Sequence, residues 1–234
     1  MKVLGRDLSP EFTHFWTDVQ DELDITESDI SCGSRVVFGD QSIEDFGGNN
    51  PGWMELPDHD LAYHVAHEVA HKLLRKRGYP RVGRGTMYGP ESSEARVGGD
   101  LEELVVHIPL DQLLGEYGLF SKVIVERMFN GAMEGILSSP VPEYGTPWFF
   151  TWAIRYAELS RMLSDVQMLE IDFIFKEKSN NVVSLGKELL QVLGGFSSWS
   201  PSITKEAMIA CRDILGLAVD GRVLVVDGYD GTFA

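Results

Sequence analysis

His67-Glu68-Val69-Ala70-His71 decides how the first half of this chain is read. Residues four apart on an α-helix lie one above the other, so a helix turns both imidazoles toward one point. That spacing suits two ligands of a single Zn2+. Glu68, one residue after the first histidine, is placed to take a proton from a water at such an ion rather than to ligate it. Four of the six histidines (His59, His64, His67 and His71) fall between residues 59 and 71, so the composition is concentrated at the motif. His64, one turn before His67, reads as a core or supporting histidine and not as a ligand.

The flanks predict a helix from about residue 59 to 77. Leu56-Pro57-Asp58 is a start signal, with Asp58 as cap and Pro57 discouraging any helix upstream. No glycine or proline interrupts the run, and Leu61, Val65, Val69 and Leu73 recur every fourth residue with Leu74 beside them. That is a buried stripe alongside the histidine face. Lys72, Arg75, Lys76 and Arg77 crowd the last turn, where cations oppose the helix dipole, and Gly78 with Pro80 ends it. Arg81, Arg84 and Arg96 extend the basic run past the helix, and Arg81 and Arg84 fit a cleft wall that holds a substrate carboxylate.

Outward from this helix the chain predicts a small sheet before it and helices after it. Residues 9–24 read as a first helix capped by Ser9, with Phe12, Phe15, Trp16 and Val19 inward. Ser34–Gly39 and Gly52–Leu56 read as strands joined by a loop over 40–52. Residues 78–90 read as a glycine-rich loop. Helices are expected over about 91–107, 109–116, 120–138, 147–164, 166–177, 182–194 and 203–216, then a closing strand at 222–227. The aromatic run Trp148, Phe149, Phe150, Trp152, Ile154 and Tyr156 is core material. The fold class expected is α+β and predominantly helical, with residues 1–138 as a metal-binding lobe and 139–234 as a mainly helical lobe, the prolines of 138–147 marking the boundary.

Composition excludes several classes. The 234 residues carry a formal charge of −16, which argues against nucleic acid and against anionic membrane surfaces as partners. Hydrophobic content is 44% and no apolar run approaches a membrane span. Mean hydropathy is −0.08. Two cysteines, Cys32 and Cys211, make neither a disulfide framework nor a zinc knuckle, so a cytoplasmic setting is expected.

Catalytic zinc takes three protein ligands and keeps one position open. From Lys72 to Pro80 there is no His, Asp or Glu, so a third ligand close behind His71 is ruled out. In this respect the chain resembles the gluzincin branch of the zincin metallopeptidases over about residues 34–107. The likeness rests on the motif and on the strand-then-helix order. It implies that a glutamate on the following helix completes the site and that the cofactor is Zn2+. Glu103 is the choice carried forward, with Glu94 and His107 as alternatives. Glu91, separated from His71 by nineteen intervening residues, reads better as compensation of a helix dipole. Glu94 shares a stripe with Val97, Leu101, Leu104 and Ile108, whereas Glu103 and His107 stand one turn apart on a face shared with Asp100.

The resemblance implies a metallopeptidase, or a related amide hydrolase, that acts on a peptide or protein bound along an edge strand. Glu68 serves as the base, and Tyr79, Tyr88, Arg81 and Arg84 are the nearby donors for an oxyanion. Lys72 stands where the family keeps an uncharged residue. It motivates the other reading, a regulatory or binding protein that keeps the scaffold without cleaving.

Overall fold

A computed structural model describes residues 2–3, 6–26, 30–32, 36–38, 57–85, 88–89 and 91–232. Among these the protein is predominantly helical. Seven α-helices, α1 (Pro10–Leu23), α2 (Asp58–Lys76), α3 (Ser93–Glu116), α4 (Lys122–Ser138), α5 (Pro147–Met162), α6 (Asp165–Leu193) and α7 (Pro201–Ile214), are joined by three antiparallel strand pairs. The pairs are β1 (Lys2–Val3) with β2 (Arg6–Asp7), β3 (Ile30–Cys32) with β4 (Val36–Phe38), and β5 (Arg81–Gly83) with β6 (Leu224–Val226). The expected strand at 52–56 and the loop at 40–52 lie outside the described residues.

Contacts divide the chain into two compact units, Met1–Lys76 with Leu110–Ile124, and Arg77–Pro109 with Val125–Ala234. Residues 77–109, read on sequence with the metal-binding lobe, therefore group with the C-terminal helices. The long helix α3 contributes its last two turns to the first unit and the remainder to the second.

In the first unit α1 packs on α2. Ser9 caps α1 by accepting from the Phe12 amide at 3.3 Å, and Phe12, Phe15, Trp16 and Val19 are buried as the periodicity predicts. The α2 stripe of Leu61, Val65, Val69, Leu73 and Leu74 is equally buried. Asp58 is the first residue of α2 and not its cap. Its carboxylate accepts from Arg6 Nε at 2.9 Å, while the Pro57 carbonyl takes the first amides of the helix. Lys76 donates to the Glu22 carbonyl at the end of α1, so a residue read as dipole compensation also ties two helices together.

In the second unit the stretch expected as a loop over 78–90 holds a strand. Arg81, Val82 and Gly83 pair with Val226, Val225 and Leu224, residues far too distant in sequence for a local pattern to reveal the partner. Gly98 explains how this pair sits on α3. A Cβ there would lie 2.9 Å from the Val82 side chain, so only glycine admits the strand. Glu102 of α3 then accepts from the Val82 amide at 2.8 Å.

Two expected breaks are bridged. Helix α3 runs through Gly98-Gly99 and through Pro109, where the sequence predicts two helices. Helix α6 joins the stretches expected at 166–177 and 182–194, with a kink at Ser179 (φ −161°, ψ 98°) marking the seam. Its start is a full capping box, Ser164 and Gln167 each bonding the other's backbone amide. Helices α5 and α6 pack most extensively, with Trp152, Tyr156, Phe175 and Ile171 at the centre. No described helix is long and apolar enough to cross a membrane.

Candidate metal centre

The α2 helix places its motif as the spacing demands. His67 and His71 are half-buried on one face, and their Nε2 atoms stand 3.1 Å apart, so one imidazole can donate to the other. Tetrahedral zinc with Zn–N near 2.0–2.1 Å sets its ligand nitrogens about 3.3 Å apart. The pair already has that spacing. Tyr63, one turn before His67, is buried with its ring 5.7 Å from the His67 ring and 6.0 Å from the Phe120 ring. Glu68 is half-buried beside them. His64 stands edge-on to Tyr63 at 5.4 Å, and the exposed His59 pairs with the buried Asp60 at 2.9 Å. Neither is a ligand in the pair that His67 and His71 form.

The candidates for a third ligand, Glu94, Glu103 and His107, all lie on α3. Glu94, half-buried at the start of α3, accepts from the Ser93 hydroxyl at 3.1 Å. Glu103 presents much of its surface to solvent, yet its carboxyl is pushed above the usual range. Desolvation by the surrounding protein is the main cause, and the neighbouring His107 acts against it. Asp100, on the same face, accepts from the Thr151 hydroxyl at 2.5 Å.

His107 is buried and its Nδ1 faces Glu158 Oε1 of α5 at 3.3 Å. A carboxylate only accepts, so Nδ1 carries a proton, and in the neutral imidazole the lone pair is then on Nε2, the tautomer a metal ligand needs. Glu158 is itself buried and bonds Arg155 one turn before it. Burial alone would raise its carboxyl, but the hydrogen bond to His107 and the charge of Arg155 outweigh it and hold it below the ordinary glutamate range. Sequence reasoning passed over Glu158. The signal available was an acid four residues after the buried Ile154, in a helix otherwise packed with aromatics, since a carboxylate in such a place needs a partner.

Two of the donors expected for an oxyanion have partners of their own. Tyr79 Oη donates to the Trp199 carbonyl at 2.7 Å, and burial pushes its hydroxyl pKa up. Arg84 Nε donates to the Tyr88 carbonyl at 2.9 Å. Cys211, buried, has its thiol pushed up to about 12, so it is no thiolate nucleophile at neutral pH. Compared with protein-family models, curated proteins and solved structures, the chain matches none.

Proposed function

We propose that this chain is a zinc-dependent amide hydrolase of the metallopeptidase class, with His67, His71 and His107 as ligands and Glu68 as the catalytic base. The observation that carries the reading is the His67–His71 pair at ligand spacing, and it is joined by His107, a buried imidazole whose tautomer is set by Glu158. Bound Zn2+ supplies Lewis acidity, which brings a water's pKa down to about 7 and polarises a carbonyl.

The rest is the work of side chains. Glu68, half-buried and adjacent in sequence to His67, takes the water's proton and returns it to the departing amine. Glu158 keeps the His107 proton on Nδ1, and the Tyr63 ring limits rotation of His67. A histidine stands where the zincin likeness implies a glutamate. Three neutral ligands leave the ion its full double charge, which favours deprotonation of water more than a carboxylate in the set would. The substrate proposed is a peptide or protein, and the zincin-like character of the scaffold, like its cytoplasmic setting, is part of the same proposal.

The test is Glu68→Gln against a broad peptide library. Cleavage present in the parent and lost in the variant, with stoichiometric zinc retained by both, supports the reading. Equal cleavage by both removes Glu68 from the chemistry.

A further inference from the structure

The second unit holds a cavity of about 450 Å3 between α3, α4, α5 and α6, a volume that takes a small organic molecule. Its apolar wall is aromatic. Trp148 and Trp152 meet edge-to-face at 6.2 Å, and Trp152 meets Phe175 the same way at 5.5 Å. The charged groups on the wall are Arg96, Asp100 and Arg155. Asp100 is engaged by Thr151 and Arg155 by Glu158, whereas Arg96, exposed at the rim, makes no ion pair among the described residues. Arg96 also lines an adjoining depression with Trp148 and Thr151, where the exposed Glu91 is the other charge.

Two glycines on α4 bear on the cavity's access. Gly131 and Gly135 both line it, and a Cβ added at either would meet nothing within 4 Å. Glycine inside a helix costs about 1 kcal/mol relative to alanine. No described residue lies close enough to demand that cost, and a side chain at either position has room to grow at the cavity wall.

A cationic rim over an aromatic wall, in a chain of net charge −16, selects an organic anion with a flat apolar body. We infer that this cavity binds a small aromatic carboxylic acid, its ring against Trp148 and Trp152 and its carboxylate on Arg96. The inference stands on the cavity alone and does not depend on the metal centre.

The experiment titrates the full chain with naphthalene-2-carboxylate and with its neutral isostere, naphthalene-2-carboxamide, following tryptophan fluorescence and calorimetry. Saturable binding is expected, with the acid at least ten-fold tighter than the amide. Arg96→Gln is expected to abolish that preference while both compounds still bind. Gly131→Leu, or Gly135→Leu, is expected to abolish binding of both with the thermal melt preserved. The absence of saturable binding at millimolar ligand, equal affinity for acid and amide, an acid preference that survives Arg96→Gln, or undiminished binding in a folded leucine variant would each overturn the proposal.

Discussion

Helices α2 and α5 each place ionisable side chains where they matter, and they do so in opposite ways. On α2 the chemistry is local: His67 and His71 meet because one helical turn separates them, and the same helix supplies Glu68 and Tyr63. On α5 the chemistry belongs to residues distant in sequence. Glu158 is paired with His107 of α3, Tyr156 with Asp172 of α6 at 2.7 Å, and Thr151 with Asp100 of α3. A helix whose polar groups serve one another can be read alone. One whose polar groups serve its neighbours looks like ordinary core until the fold is known.

The largest expected effect tests the local side of this contrast. His67→Ala or His71→Ala removes half of the α2 pair, and stoichiometric zinc, followed by equilibrium dialysis with metal analysis, should be lost. Tight binding that survives either change would mean that the ladder is not the anchor. Glu158→Gln tests the distant side. It keeps the shape and one acceptor but loses the charge that fixes the His107 tautomer, so zinc affinity should fall by about 10–100-fold with the fold intact. An unchanged affinity would reduce Glu158 to a packing residue.

A smaller effect concerns the second α5 partnership. Burial would raise the Asp172 carboxyl, but hydrogen bonds from Lys176 and Tyr156 outweigh it and hold it below the usual aspartate range. An acid whose folded pKa is depressed adds stability that is complete above its unfolded pKa and is lost as the pH falls through the folded one. Asp172→Asn should therefore cost about 1 kcal/mol at neutral pH in chemical denaturation, and the gap to the parent should close as the pH drops below about 4. A gap that persists in acid would contradict the electrostatic account.

The smallest effect is expected at Glu103. Its carboxyl is raised by desolvation, so at neutral pH the folded protein holds the charged form less favourably than the unfolded chain does. Glu103→Gln should leave stability unchanged or slightly higher, with zinc affinity within about threefold of the parent. This separates it cleanly from Glu158→Gln.

What was legible in the sequence follows the same division. The helix around the motif, its buried stripe and the Ser9 cap were all readable because each depends on residues within a few turns of one another. His107 stood out as a histidine on the following helix, but nothing local distinguished it from Glu103 one turn earlier. The discriminating group, Glu158, is fifty-one residues further on. The strand at Arg81–Gly83 was unreadable for the same reason, since its partner is β6 near the C-terminus. Pro109 is where local propensity predicts a break, yet α3 continues through it, and Gly98 within the same helix serves the close approach of Val82.

In the proposed site three histidines, and not two histidines with a glutamate, hold the metal. The most direct measurement is zinc affinity, by competition with a chromophoric chelator, for the parent, His107→Gln and Glu103→Gln purified in parallel. One tight equivalent in the parent and in Glu103→Gln, with that equivalent weakened at least a hundred-fold in His107→Gln, is the predicted result. Tight binding retained by His107→Gln and lost by Glu103→Gln, or no zinc bound by the parent, would contradict it.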